Sequence, residues 1–368
     1  MEKTLVDRGS RGEVLKHKPV GRDESTRFEK IHTEIFQTSA EASLAIAAEI
    51  AALILEKAGN DQKCVLGLAT GSSPLGVYKE LVRMHQQEGL SFKNVVTFNL
   101  DEYYPMQPKA LQSYVRFMDE NLFNHIDIDK ENINIPDGTL DQEMVPAFCA
   151  EYEGKIDSYG GLDLQILGIG RTGHIGFNEP GSHYNSVTRM VTLDHLTKTD
   201  AASDFFGMDN VPRRAITMGV GSILKAKRIL LMAWGEGKSA IIQETVEGII
   251  RDAVPATYLQ NHPKTTIVLD TAAAAELVRV KTPWLVDSCK WDDDLSKSGV
   301  IWLSQKLQKP ILKLTDRDYM DNGMDELIAE HGPAYRINIR MFNVLQHTIT
   351  GWPGGKPGAD DTNRPERA

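Results

Sequence analysis

The sequence predicts an open, doubly wound α/β domain built on a mostly parallel sheet, followed by a helical C-terminal extension. Short apolar runs rich in β-branched residues recur at Val65–Ala69, Val95–Leu100, Leu164–Gly168, Ile229–Ala233 and Thr266–Leu269. The stretches between them leave room for crossover helices, as a parallel sheet covered on both faces requires. After Cys289 this rhythm stops and a mostly helical pattern runs to Ile349.

Taken in order, residues 1–27 hold few apolar side chains and are expected to form an N-terminal arm on the surface. The α/β domain is expected over 28–291. It opens with a helix: Thr38 and Glu41 have the spacing of a capping box, Ile46, Ile50, Leu53 and Ile54 share one face, and Gly59 marks the end. The strands and crossovers follow. The helical extension is expected over 292–350, after the acidic stretch Trp291–Asp294. Residues 351–368 (GWPGGKPGADDTNRPERA) have the composition of a linker or tail, and are expected to lead toward a further domain of a longer chain.

The composition narrows the function. The 368 residues include 41 Lys+Arg against 51 Asp+Glu, a net charge of −10, with 41% apolar and 25% charged residues. A fibrous or wholly disordered chain is excluded. Net acidity argues against a nucleic-acid partner but leaves room for a local cationic pocket and a small anion. No stretch approaches the ~20 apolar residues of a membrane span, and the first residues lack the apolar core of a secretory signal. Cys64, Cys149 and Cys289 are odd in number and far apart, which suits neither a disulfide framework nor a metal cluster. A cytoplasmic location is expected.

In open α/β sheets ligands bind beyond the carboxyl ends of the strands, so the residues after each strand carry the chemistry. After Val65–Ala69 comes Thr70-Gly71-Ser72-Ser73-Pro74, then a helix from Leu75. Small hydroxylated residues ahead of a helix can cradle a phosphate; they equally make an ordinary turn with a serine cap. After Val95–Leu100 come Asp101 and Glu102. Such a pair either forms a solvated turn or sets one carboxylate over a pocket and leaves the other for structure. No metal-ligand spacing accompanies it.

After Leu164–Gly168 comes the most informative stretch, Gly170-Arg171-Thr172-Gly173-His174-Ile175-Gly176-Phe177-Asn178-Glu179-Pro180. Its glycines keep the loop narrow, so His174 is expected to project, with Glu179 near enough to orient it. Histidine suits proton transfer near neutral pH. After Ile229–Ala233, Lys238 either brings a point charge to the same anion or is a surface lysine.

Together these segments resemble the glucosamine-6-phosphate deaminase (isomerase) family. The resemblance runs from about Phe28 to Trp291 and rests on LATGSSPLGVYKEL, SFKNVVTFNLDEYY, LGIGRTGHIGFNEPGS, ITMGVGSIL and HPKTTIVLD in the family's order. It implies a Rossmann-like fold of the sugar-phosphate isomerase/deaminase type. It also implies a reaction in which an aldose 2-amino-6-phosphate is ring-opened, isomerised and hydrolysed to a ketose 6-phosphate and ammonia. Asp101 would be the base at C2. His174 would be the acid–base group for ring opening, with Glu179 tuning it, and Thr70, Gly71, Ser72, Ser73 and Lys238 would hold the phosphate. No metal or organic cofactor is implied. Relatives commonly assemble, so a homo-oligomer is expected.

Two departures stand out. Thr172 occupies the place of an aspartate in the family, and a hydroxyl cannot offset an imidazolium charge as a carboxylate does. Asp204 falls where the family sets an arginine on the phosphate, so that Arg171, Arg189 or Arg214 substitutes, the ligand differs, or the segment has shifted. The basic residues of a known allosteric site are matched only in part, by Arg189. Beside the deaminase stand two alternatives: a same-fold isomerase or hydrolase for another sugar phosphate, and a catalytically weak sugar-phosphate-binding module.

Overall fold

The computed structural model describes Leu15 and residues 24–350, with side chains to residue 346. The tail expected at 351–368 and most of the N-terminal arm lie outside the described residues. Of that arm, Leu15 is buried with the apolar core rather than on the surface.

The chain divides into two compact units, Met1–Lys281 and Thr282–Ala368. The first begins with β1 (His32–Phe36), α1 (Ser39–Gly59), β2 (Cys64–Leu68), α2 (Leu75–Glu88) and β3 (Val95–Asn99). It continues through β4 (Asp101–Tyr104), α3 (Tyr114–Asn121), β5 (Ile133–Asn134), α4 (Val145–Ser158) and β6 (Leu164–Leu167). Then come β7 (Arg189–Thr192), α5 (His195–Ala201), β8 (Arg214–Thr217), α6 (Val220–Leu224) and β9 (Ile229–Ala233). It closes with α7 (Ser239–Glu247), β10 (Thr265–Asp270) and α8 (Val278–Lys281).

Seven strands form one parallel sheet in the order β1-β10-β9-β6-β2-β3-β5. Its central strands β2, β3, β6 and β9 are buried along their whole length. That is why they read as unbroken apolar runs instead of alternating ones. From β2 the chain winds to β3 and β5 on one side, and from β6 to β9 and β10 on the other. The order therefore reverses between β2 and β6, and a crevice opens there at the carboxyl ends.

The first helix follows its sequence signals. Thr38 caps α1 by accepting the Glu41 N–H at 3.2 Å, while the Glu41 carboxylate reaches one residue further back, to the Gln37 N–H. Ile46, Ile50 and Ile54 are fully buried on its inner face.

The structure adds strands that the sequence pattern does not announce. Edge strand β1 pairs with β10 alone and carries His32, Thr33 and Glu34, so it lacks an apolar run. A separate antiparallel sheet, β4-β8-β7, pairs Asp101 with Thr217 and Arg189 with Thr217 on its other side. These are four-residue strands, set by pairing between distant segments rather than by local pattern.

The second unit holds α9 (Asp293–Leu307), α10 (Asp316–Met320), α11 (Asp325–His331) and α12 (Ala334–Thr350). Asp292 caps α9 through the Leu295 N–H, with Asp293 and Asp294 in the first turn, which accounts for the acidic stretch there. Trp284 and Trp291 pack with Val300, Leu303 and Met324. This core draws the division between units to 281/282, ten residues before the boundary read at 291. Inside this core Tyr319 Oη donates to Asn338 Oδ1 at 2.7 Å, and Asn338 Nδ2 donates to the Leu314 carbonyl at 2.8 Å. Among the described residues, no helix is long and apolar enough to cross a membrane.

Candidate active site

A cleft of about 230 Å³ lies at the β2/β6 reversal. The loop after β2 supplies Thr70, Gly71, Ser72 and Ser73; the turn after β3 supplies Leu100 and Asp101; the loop after β6 supplies Gly168, Gly170, His174, Gly176 and Phe177; and Lys238 enters ahead of α7. Seven of the residues expected from sequence (Thr70, Gly71, Ser72, Ser73, Asp101, His174 and Lys238) thus meet around one hollow.

Asp101 is 6% exposed, and its carboxyl is pushed up to about 8, first by burial and then by the neighbouring charge of Glu102. Glu102 turns away from the cleft. It accepts the N–H groups of Tyr103, Tyr114 and Val115 and the Ser113 hydroxyl, and so anchors the start of α3. Burial lifts its carboxyl to about 7 even against those hydrogen bonds. One acid faces the pocket and the other serves structure, because successive side chains of a strand leave on opposite sides.

The loop after β6 is narrow for a steric reason. A Cβ at Gly170 would fall 2.1 Å from Cε1 and Nε2 of His174, so the imidazole lies directly over that backbone. Gly176 has φ +54°, and a Cβ there would sit 2.9 Å from Thr217 Oγ1 and 3.3 Å from Asp101 Oδ2. The histidine loop and the Asp101 carboxylate are thereby in close approach. Thr217 Oγ1 accepts the Phe177 N–H at 3.0 Å, and Asn178 Nδ2 donates to the carbonyls of Ile175 and Met218, which pins the loop from below.

Thr172 and Glu179 stand behind the imidazole rather than in the cleft lining. Thr172 Oγ1 is 3.0 Å from His174 Nδ1, and Glu179 Oε2 is 3.4 Å from the same nitrogen. Burial works against the charge of Glu179, but its contacts with His174 and Thr197 outweigh this and hold its carboxyl below the usual range. With Nδ1 engaged from behind, Nε2 is the nitrogen free to exchange a proton with a ligand.

Lys238 is half-buried; its Nζ donates to the Ile169 carbonyl at 2.8 Å, and burial lowers its pKa. Arg171 stays outside the cleft and pairs with Asp200 at 2.9 Å. Arg189 donates to Asn178 Oδ1 and Arg214 to Gln142 Oε1, so neither lines the cleft. Asp204, expected to face a phosphate, is exposed and lies outside the lining; its carbonyl accepts from Gln112. The short loop 202–210 carries it to the surface, so the segment is shifted from the place the family's arginine takes. Tyr114 is a lining residue that the strand-end reading passed over. It comes from the start of α3, and its ring packs against Tyr103 at 5.1 Å between ring centroids. Among the described residues, no three His, Cys, Asp or Glu side chains gather as a metal-ligand set.

A family model described as glucosamine-6-phosphate isomerases/6-phosphogluconolactonase matches residues 37–268. The chain belongs to this family. Membership bears out the resemblance read from the motifs and the doubly wound fold. A glucosamine-6-phosphate deaminase-like protein of Bacteroides thetaiotaomicron is 52% identical over 343 residues, covering 93% of this chain and 52% of that protein. The chain thus spans about half the length of that relative. A glucosamine-6-phosphate deaminase of Thermoanaerobacter pseudethanolicus is 51% identical over 211 residues, 57% of this chain and 83% of the relative. Among solved structures, a monomeric glucosamine-6-phosphate deaminase superposes with a TM-score of 0.64 at 42% identity, covering 67% of this chain and all of that one. The 6-phosphogluconolactonase of Thermotoga maritima shares the fold at 22% identity, with a TM-score of 0.52 over 65% of this chain and 99% of that one.

Proposed function

We propose that this chain is a glucosamine-6-phosphate deaminase, releasing ammonia and fructose 6-phosphate from glucosamine 6-phosphate and water. The observation that carries the reading is the meeting of Asp101, His174 and Lys238 around a single cleft, in a chain about 50% identical to proteins of that name.

In this reading the Ser72 and Ser73 hydroxyls, the backbone of Thr70 and Gly71, and the Lys238 ammonium hold the phosphate. His174 Nε2 moves the proton that opens the pyranose ring, exposing the C1 aldehyde. Thr172 and Glu179 hold Nδ1 behind it. The open aldehyde acidifies the C2 hydrogen, and the Asp101 carboxylate takes it as a proton, leaving an enolamine between C1 and C2. Returning that proton to C1 gives the 2-imine of the ketose, and water adds to the imine carbon to expel ammonia. A base held at one carbon spares the entropy of finding it. Its raised pKa makes it a strong base once ionised.

The test is to incubate the purified chain with glucosamine 6-phosphate and follow ammonia and fructose 6-phosphate together. Equal release of both, lost in Asp101→Asn, is expected. Binding of the compound without turnover would replace this reading with a sugar-phosphate-binding module, the role that Thr172 at Nδ1 favours. A cytoplasmic setting belongs to the same proposal, supported by three cysteines that are all unpaired. The homo-oligomer expected from the resemblance stands against a monomeric relative; light scattering on the purified chain gives the mass that decides between them.

A further inference from the structure

The loop that would hold the phosphate is anchored by two aromatic donors from outside the cleft. At its start, the buried Tyr78 of α2 donates Oη–H to the Ala69 carbonyl at 2.5 Å. At its end, the half-buried Trp234 of the turn after β9 donates Nε1–H to the Ser73 carbonyl at 2.9 Å. Among the described residues, the N–H groups of Gly71, Ser72 and Ser73 between these anchors donate to no other group of the protein.

The two carbonyls are the groups that would oppose an anion if they turned inward. The Ser73 carbonyl is followed by Pro74, so its peptide has an acceptor and no N–H to set against a phosphate. The Ala69 carbonyl shares its planar trans peptide with the Thr70 N–H, and tying down the oxygen turns that N–H the opposite way. Trp234 also sits four residues before Lys238, and the Gly235 N–H next to it is clamped by both oxygens of Asp270 at 3.1 Å. One indole therefore joins the anion loop to the segment that carries the lysine.

Resting on the phosphate-binding role given above, we infer that Tyr78 and Trp234 are positioning residues that hold the 70–73 loop in its anion-accepting form before the ligand arrives. Neither touches substrate. They keep the carbonyl dipoles out and the N–H dipoles in, so that binding does not have to turn the peptides.

The test uses the full chain with Trp234→Phe and Tyr78→Phe, reading the Kd of inorganic phosphate by calorimetry together with kcat and KM for glucosamine 6-phosphate. Loss of one such hydrogen bond is expected to weaken phosphate and raise KM in parallel by about 3- to 10-fold, with kcat within about twofold. Unchanged phosphate affinity in a folded Trp234→Phe protein overturns the inference, as does a fall in kcat without a change in phosphate affinity. Should Tyr78→Phe fail to fold, Trp234→Phe, at the rim of the core, decides by itself. If the wild type turns over no glucosamine 6-phosphate yet phosphate binding still weakens in the variants, the positioning role stands and the deaminase reading falls. A wild type that binds no phosphate overturns the positioning role, and turnover alone then decides the deaminase reading.

Discussion

Asp101 and Glu102 are neighbours on one strand, and their carboxylates leave it for opposite duties: Asp101 lines the cleft, while Glu102 accepts three backbone N–H groups and a serine hydroxyl at the start of α3. Burial first, and then the charge of the structural acid beside it, lift the Asp101 carboxyl to about 8 and make the reactive acid difficult to ionise.

The first consequence is a pH dependence. If Asp101 acts as the base, only its ionised form is active, so kcat/KM of the free enzyme should fall about tenfold per unit as pH drops below about 8. A pH–rate profile from pH 6 to 9 checks this. A flat profile across that range would remove Asp101 from the role.

Stability should run the other way. A carboxyl whose folded pKa lies above its unfolded value of about 4 favours the native state at low pH and loses that contribution as pH rises through the folded pKa. Between about pH 4 and pH 8, Asp101 therefore becomes a growing liability, on the order of a few kcal/mol at most. The neutral amide of Asp101→Asn does not titrate. Thermal melts should show that variant gaining on the wild type as pH is raised from 5 to 9.

Glu102→Ala should be costly where Glu102→Gln is milder. Alanine removes the acceptor of the Tyr103 and Tyr114 N–H groups and of the Ser113 hydroxyl, leaving Val115 N–H its bond to Ser113 Oγ, at about 2–4 kcal/mol by denaturant unfolding. Glutamine keeps the volume and one acceptor while removing the charge. In the Gln variant the acid limb of the pH–rate profile should move to lower pH, because Asp101 ionises more readily without a like charge beside it. An unmoved limb would show that Glu102 has no electrical hold on the base.

Thr172→Asp should strengthen the proton-transfer pair. It would set a carboxylate near the 3.0 Å position now held by the Thr172 hydroxyl against His174 Nδ1, where a charge-assisted hydrogen bond is roughly twice as strong as a neutral one. We expect kcat to rise about 3- to 10-fold, read from steady-state turnover of glucosamine 6-phosphate. The added charge beside Glu179 should lower the melting temperature slightly. Unchanged turnover would mean that Glu179 already supplies all the charge the imidazole uses.

The central strands were legible because burial on both faces writes itself as apolar runs, and their boundaries in the structure differ from the sequence reading by one residue or so. The functional loops were legible for a related reason: each follows such a run, and the sheet delivers its carboxyl ends to one side. Edge strand β1 and the β4-β8-β7 sheet were not, since four or five residues with polar members acquire strand geometry only from distant partners. Asp204 illustrates the same limit at the site. Its position along the chain placed it against a phosphate, and the path of its loop carries it to solvent.

Local pattern along the chain thus specified the parallel core, the helix caps and the residue types gathered for proton transfer, because each depends on neighbours a few positions away. Which acid of the Asp101–Glu102 pair faces the cleft, which cation enters it, and where Thr172 and Glu179 stand depended on contacts between segments far apart in sequence. Those contacts exist only once the sheet has brought the ends of β2, β3, β6 and β9 together.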